Sequence, residues 1–498
     1  MRILIADDEQ LVRFSLRNML EEMGTPARSV LSVCDGQEMV ELVRRVKPEV
    51  GFVDIRMPRL DGLAAIEAAR ASSPATRWVI LTSHSSFDYA RRALQLGVSD
   101  YLLKPVSPEE LRKVLDKVST EVRQELARQN DEFRGRVSSL LHGTLSLEAE
   151  EVEFVSTARF AGCLIVFDSA LPEDRLAERQ RAVLSDLRSR IAGAAERTAR
   201  LALVTLPVGY AALVCAWQPG PEEPMAAEAM HGFLHTAQTV LDGGARPDAR
   251  VTLIATGTCH SFDELLSRLN RASAAAPLRI PLGIGRRIDL EEAEREQAAG
   301  HWADLCAGLT GVALAVRARS RLDFLAGLET AERALEAPST PAAERERAAV
   351  RKFTEAAVGL PPEAEPGSAE WKDRMRAAAE ALGPEERAAG ELVRQVREFV
   401  HGAYMRDIGI GQIAFHLGVT PNYLSSLFHR ETGTTFVRFL TGLRMDHARE
   451  LLAAPGARVQ DVARSVGYAS VRHFSRLFQR QFGAHPSDVK AEKNARES

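Results

Sequence analysis

Two stretches toward the C-terminal end of the chain repeat one pattern. The first runs from Ile413-Ala414 through Gly418 to Leu424, Leu427-Phe428 and Gly433. The second runs from Val462-Ala463 through Gly467 to Phe474, Leu477-Phe478 and Gly483, about fifty residues further on. Each reads as helix, turn and helix. The small alanine lets the two helices cross closely, and the glycine supplies the unusual backbone of the turn. Leu392, Val396, Phe399 and Val400 mark an amphipathic helix before the first copy. Phe436–Leu452, carrying Phe439, Leu440, Leu443, Ala448 and Leu451, is a long helix joining the copies, ended by Pro455-Gly456. The segment from about 388 to 490 is therefore expected to be all-α, and two such units in tandem point to the grooves of a DNA duplex.

The chain has 498 residues, too many for one core, so roughly three or four domains are expected. No stretch reaches the ~18 consecutive apolar residues of a membrane-spanning helix. The start, Met1 to Asp8, turns acidic at once and lacks the apolar core of a secretory leader. Cys34, Cys163, Cys215, Cys259 and Cys306 show no CxxC pairing, which fits a reducing cytoplasm and speaks against a zinc site or disulfide framework. A cytoplasmic protein without a membrane partner is expected. Net charge is -4, but residues 401–498 carry +5 and the first 400 carry -9. The attraction for phosphate is thus placed at the C-terminal end.

At the other end, short apolar runs at Ile3–Ala6, Ser29–Val33, Val50–Asp54, Trp78–Thr82 and Tyr101–Leu103 alternate with amphipathic segments near 9–22, 36–46, 62–71 and 86–96. This predicts an α/β domain, doubly wound, with its functional crevice at the carboxyl ends of the strands. Asp7 and Asp8 end the first run, Asp54 the third and Thr82 the fourth; Lys104-Pro105 follows the fifth. Three carboxylates converging at one edge repel one another unless a hard cation sits among them. Magnesium, which takes oxygen ligands and keeps several waters, suits that set. A carboxylate beside the ion can attack a phosphoryl group in line, with a lysine and a hydroxyl sharing the charge on the equatorial oxygens.

These positions resemble the receiver domain of two-component response regulators over roughly residues 1–118. The resemblance implies a five-stranded parallel sheet of order 2-1-3-4-5. It also implies phosphorylation at Asp54 and magnesium held by Asp8, Asp54 and the Arg56 carbonyl, with Asp7 acting through water. Thr82 and Lys104 would bind the phosphoryl oxygens, and Tyr101 would be the switch aromatic. A sensor histidine kinase is the implied partner.

Ser107-Pro108-Glu109-Glu110 opens a helix. Leu111, Leu115, Val118, Val122 and Leu126 form its apolar stripe, continued by Phe133, Val137 and Leu140 after a polar step at Gln129-Asn130. The stretch from 107 to 147 is read as a connecting helix that pairs two copies into a homodimer. The other reading is a single helix lying on the next domain; Gly135 weakens a strict coiled coil.

From 150 to 288 the pattern is β-α-β-β-α-β, the split arrangement of ferredoxin-like α+β domains. Its elements are Phe160–Asp168, Glu173–Ile191, a hairpin of Leu201–Leu206 and Tyr210–Trp217 around Pro207-Val208-Gly209, a helix at Glu222–Leu241 and a strand at Val251–Thr256. Gly243-Gly244-Ala245 is a turn. The run Ser261 to Leu266, with Ala274 and Gly283, is similar to the degenerate GGDEF-like domains of some regulators. The hairpin turn lacks the carboxylates of an active cyclase, so no enzymatic activity is expected. A packing or dimerisation module and a small-molecule sensor remain as readings. Residues 289–385 read as a helical segment, broken at Pro338 and Pro341, with a linker near 360–368 marked by Pro361-Pro362 and Pro366-Gly367.

Gly467-Tyr468, Phe474-Ser475-Arg476, Phe478, Gly483 and Pro486 resemble the AraC-type DNA-binding domain, and about a hundred residues share that likeness. The resemblance implies two recognition helices entering successive major grooves, ~34 Å apart. By position, Asn422, Ser425, Ser426, Val471, Arg472, Ser475 and Arg476 face bases. His429, Arg430, Arg480 and Arg444 are assigned to phosphates. The whole chain thus resembles a bacterial response regulator of YesN-like layout, acting on double-stranded DNA with RNA polymerase as a further partner. The competing reading is a transcription regulator gated by a small molecule in the middle region.

Overall fold

The computed structural model describes residues 1–83, 91–93, 95–141, 157–194, 199–219, 249–299, 302–336, 343–361, 363–382, 389–454 and 456–488. The expected helix at Glu222–Leu241, the Gly243-Gly244-Ala245 turn, Pro338, Pro341, Pro362, Pro455 and most of the segment near 86–96 lie outside the described residues. Two compact units make up the chain, Met1–Arg128 and Gln129–Ser498.

The first unit is a parallel sheet of β1 (Ile3–Ala6), β2 (Val30–Val33), β3 (Val50–Asp54), β4 (Arg77–Thr82) and β5 (Asp100–Leu103), in the order β2-β1-β3-β4-β5. This is the expected order. β1 and β3 are buried throughout, as a sheet covered on both faces requires. Met39, Val43, Leu63 and Ile66 cover one face; Leu16, Leu20, Leu111 and Val118 cover the other. Because the strands are parallel, their carboxyl ends share one edge, where Asp54 closes β3 and Asp7, Asp8 and Lys104 follow β1 and β5.

Helix Pro108–Leu141 begins in a reciprocal cap, Glu110 N–H on Ser107 Oγ at 3.2 Å and Ser107 Oγ on Glu110 Oε2 at 3.0 Å. Its far end belongs to the second unit. There Phe133, Val137 and Leu141 are buried in a core shared with Phe160, Val204 and Val214. The stripe expected to pair two copies is, over these positions, covered by the chain's own middle region. The polar step has a cause as well: Asn130 Oδ1 accepts the Leu201 N–H at 3.1 Å on an edge strand.

That edge strand is β7 (Ala199–Thr205), in a sheet with β6 (Arg159–Asp168), β8 (Ala211–Trp217), β9 (Arg250–Cys259) and β10 (Arg287–Asp289). The order is β10-β9-β6-β8-β7. The neighbours β9, β6, β8 and β7 are antiparallel, as the β-α-β-β-α-β reading requires, and β10 adds a fifth strand parallel to β9. Helices Ala303–Ala318, Arg321–Leu335, Ala343–Val358 and Ala369–Ala381 pack into the same core as one face of this sheet. The helical segment is therefore not a separate domain. The stretch expected as a linker is packed too, with Leu360 and Ala364 buried. Asp168 and Arg279 form a buried two-pronged ion pair at 2.7–3.1 Å inside this assembly.

The last domain is all-α, as expected. Ile410–Leu417, Gly418 and Pro421–Thr432 make the first helix-turn-helix, and Val459–Ser465, Gly467 and Val471–Phe482 the second, joined by Phe436–Leu452. Gly418 and Gly467 hold φ of 72° and 88°, the left-handed backbone that made glycine informative in the sequence. Leu424, Leu427 and Phe428 anchor one small core, Phe474 and Phe478 the other.

Candidate phosphoacceptor site and nucleic-acid interface

At the carboxyl edge of the first sheet, Lys104 Nζ stands 2.6 Å from Asp54 Oδ2, 2.7 Å from Asp7 Oδ2 and 3.3 Å from Glu9 Oε1. The strand ends dictate this meeting: β3 delivers Asp54, the residue after β1 is Asp7, and the residue after β5 is Lys104. Lys104 is further tied to β4, its N–H donating to the Thr82 carbonyl at 2.8 Å. Thr82 is buried and Tyr101 half-buried against the neighbouring core. Arg56 N–H donates to Asp54 Oδ1 at 3.3 Å, which turns the Asp54 carboxylate.

Charge here is compensated only in part by contact. Burial opposes the Lys104 charge, but hydrogen bonds to Asp54 and Asp7 outweigh it and hold the ammonium above the ordinary lysine range. Burial raises the Asp7 carboxyl, and the Lys104 hydrogen bond and the Glu9 N–H offset only part of that. One ammonium thus serves a cluster in which Asp7, Asp8, Glu9 and Asp54 bring oxygens within 4.8 Å of one another. An all-carboxylate oxygen set with surplus negative charge fits a hard divalent cation of the magnesium class and does not suit a soft metal. A surface depression beside it is lined by Asp8, Arg56, Met57, Pro58, Asp61 and Arg92.

Glu9 and Arg13 belong to this site and were not singled out in the sequence. Arg13 donates to the Asp7 and Asp8 carbonyls at 2.7 and 3.0 Å, fixing the acidic loop. The signal was available: a third consecutive acid after β1, then an arginine one helical turn on.

In the C-terminal domain, Arg472, Arg476 and Arg480 are exposed on the closing helix of the second helix-turn-helix, with Val471 and Ser475 half-exposed. On the first, Ser426, His429 and Arg430 are exposed, whereas Asn422 and Ser425 are partly covered by the middle region. Arg430 pairs with Asp323 at 2.9 Å. Arg444 departs from the sequence reading. It is buried, donates to the Tyr404 and Arg406 carbonyls at 2.8 and 2.7 Å and lies over the Tyr468 ring, so it braces the two halves and is not a phosphate contact.

Residues 3–116 match the family model of the response regulator receiver domain, and residues 413–492 match that of a helix-turn-helix domain. The N-terminal part of the chain is a response regulator receiver domain. Toward its C-terminal end stands a helix-turn-helix domain. Over 124 residues the chain is 29% identical to the uncharacterized transcriptional regulatory protein YesN of Bacillus subtilis, covering 25% of this chain and 34% of that protein. It is 42% identical over 110 residues to the transcriptional regulatory protein PdtaR of Mycobacterium tuberculosis, covering 22% and 52%. It is 34% identical over 158 residues to the alginate biosynthesis transcriptional regulatory protein AlgB of Pseudomonas syringae, covering 32% and 34%. The chain thus spans about a third to a half of the length of these curated relatives. No single helix among the described residues is long and apolar enough to cross a membrane.

Proposed function

We propose that the regulator binds double-stranded DNA and controls transcription in response to phosphorylation of Asp54 by a sensor histidine kinase. One observation carries the reading: the Lys104 ammonium is held between Asp54 and Asp7 at the edge where an incoming phosphoryl group would arrive. An Asp54 carboxylate oxygen attacks phosphorus, the P–N bond of the kinase phosphohistidine breaks, and the imidazole nitrogen keeps the electron pair and takes a proton. Lys104 then moves from the carboxylate to a phosphoryl oxygen, and Thr82 donates its hydroxyl to another. Magnesium at Asp7, Asp8, Asp54 and the Arg56 carbonyl, with Glu9 beside them, would spread the charge of the equatorial oxygens. Tyr101, half-buried beside β4, follows Thr82 inward and changes the receiver surface. Asn422, Ser425, Ser426, Val471, Arg472, Ser475 and Arg476 are the base-facing set; His429, Arg430 and Arg480 hold the backbone. RNA polymerase is a further partner, and pairing into a homodimer would use a surface other than Phe133–Leu141.

Treating the full chain with acetyl phosphate and magnesium tests this. A phosphoryl mass gain on the peptide holding Asp54, with a matching change in affinity for a duplex enriched from a random pool, is expected. Asp54→Asn should lose both. An affinity change that persists in Asp54→Asn would place the switch elsewhere.

A further inference from the structure

The first recognition helix is engaged by the same chain. Pro421–Thr432 starts at Thr420, a fully buried cap residue whose N–H donates to Glu173 Oε1 at 2.6 Å. The β7–β8 hairpin turn lies over the first turns of that helix. Ser425 Oγ donates to the Pro207 carbonyl at 3.4 Å. Gly209 holds φ +89°, and any β-carbon there would run into the Pro421 carbonyl and stand 2.5 Å from Asn422 Cα. Backbone therefore packs on backbone. At the edges, Arg430 pairs with Asp323 at 2.9 Å, Thr205 abuts Gly411, and Arg181 lies over Phe415 at 5.4 Å.

A recognition helix reads bases with its N-terminal residues seated in the major groove. The hairpin turn occupies that place. We propose that the middle region is a mask: the Pro207–Gly209 turn and Glu173 hold the first recognition helix out of DNA, while Arg472, Arg476 and Arg480 of the second stay exposed. This rests on the C-terminal domain being a DNA binder and adds how that binding is restrained. Ser425 brings only a short hydroxyl to this seam, directed at the Pro207 carbonyl. The masked chain grips one groove, and opening the seam recruits the second. A masked state holding nine molecules in ten lowers apparent affinity by about tenfold.

The test uses the full chain without phosphodonor and a duplex enriched from a random-sequence pool by the beryllofluoride-treated full chain. Gly209→Asn keeps a residue that accepts left-handed backbone but drives a side chain into Pro421-Asn422. Asp323→Arg turns the Arg430 pair into repulsion at a half-exposed site that does not threaten folding. Affinity is expected to rise about tenfold for the first and about threefold for the second, with protection extending from one major groove to two. If the untreated wild type already protects two successive grooves and neither variant changes affinity, the mask is wrong and the DNA-binding reading stands. If no duplex is enriched by any form, both fall.

Discussion

Glu173 and Thr420 lie 247 residues apart and are joined by one buried hydrogen bond, the Thr420 N–H donating to Glu173 Oε1 at 2.6 Å. Burial pushes the Glu173 carboxyl above the ordinary glutamate range, and attraction to Arg317 and the Thr420 hydrogen bond offset only part of that. The folded chain thus holds this proton more tightly than the unfolded chain does. The stability this contributes is complete below the unfolded glutamate value of about 4.3 and is lost as pH rises through the raised folded value. Glu173→Gln keeps an acceptor for Thr420 without the charge. Its melting temperature should meet the wild type at low pH and exceed it at neutral pH. Glu173→Ala leaves the N–H buried and unpaired and should cost about 1–3 kcal/mol. Calorimetry across that pH range decides; a neutral-pH melt of Glu173→Gln below wild type would contradict the argument.

A second expectation concerns Lys104, whose ammonium lies between Asp7 and Asp54 at 2.7 and 2.6 Å. Replacing it by alanine leaves facing carboxylates uncompensated. Breaking a buried pair in this way costs about 3–5 kcal/mol. A divalent cation among the same oxygens takes over part of the lost compensation. Lys104→Ala should therefore melt well below wild type in a chelator, and added magnesium should raise its melting temperature by more than it raises that of the wild type. Equal magnesium shifts in the two proteins would separate the ion from this carboxylate cluster.

Much of this receiver was legible because its chemistry is local to strand ends. Asp54 and Thr82 each close an apolar run and Lys104 follows one, so the parallel sheet brings them to one edge by topology alone. Gly418 and Gly467 were legible because a turn needs their backbone. The Arg444 staple was not: its exposed-looking place on a charged helix hides that it reaches the Tyr404 and Arg406 carbonyls. Phe133 and Val137 have a spacing that suits a partner helix or a neighbouring domain equally, and only the fold shows that the middle region covers them. Nor does any pattern in the sequence join Glu173 or Pro207 to the recognition helix, because such pairs come from how whole domains dock.

The second recognition helix permits a division of labour to be tested. Arg476 sits mid-helix, one turn before Arg480, and both are exposed. An arginine that reaches a guanine edge makes two parallel hydrogen bonds that only that base returns, a discrimination of about 1–3 kcal/mol. An arginine on phosphate attracts every sequence alike and releases counterions, contributing about 0.9 to the slope of log affinity against log salt. Arg476→Ala is expected to flatten the difference between the enriched duplex and a scrambled one while leaving the salt slope nearly unchanged. Arg480→Ala should weaken binding to both duplexes by the same factor and lower the slope by about one unit. Salt titrations of each variant on each duplex separate the roles, and the reverse pattern would exchange the two assignments.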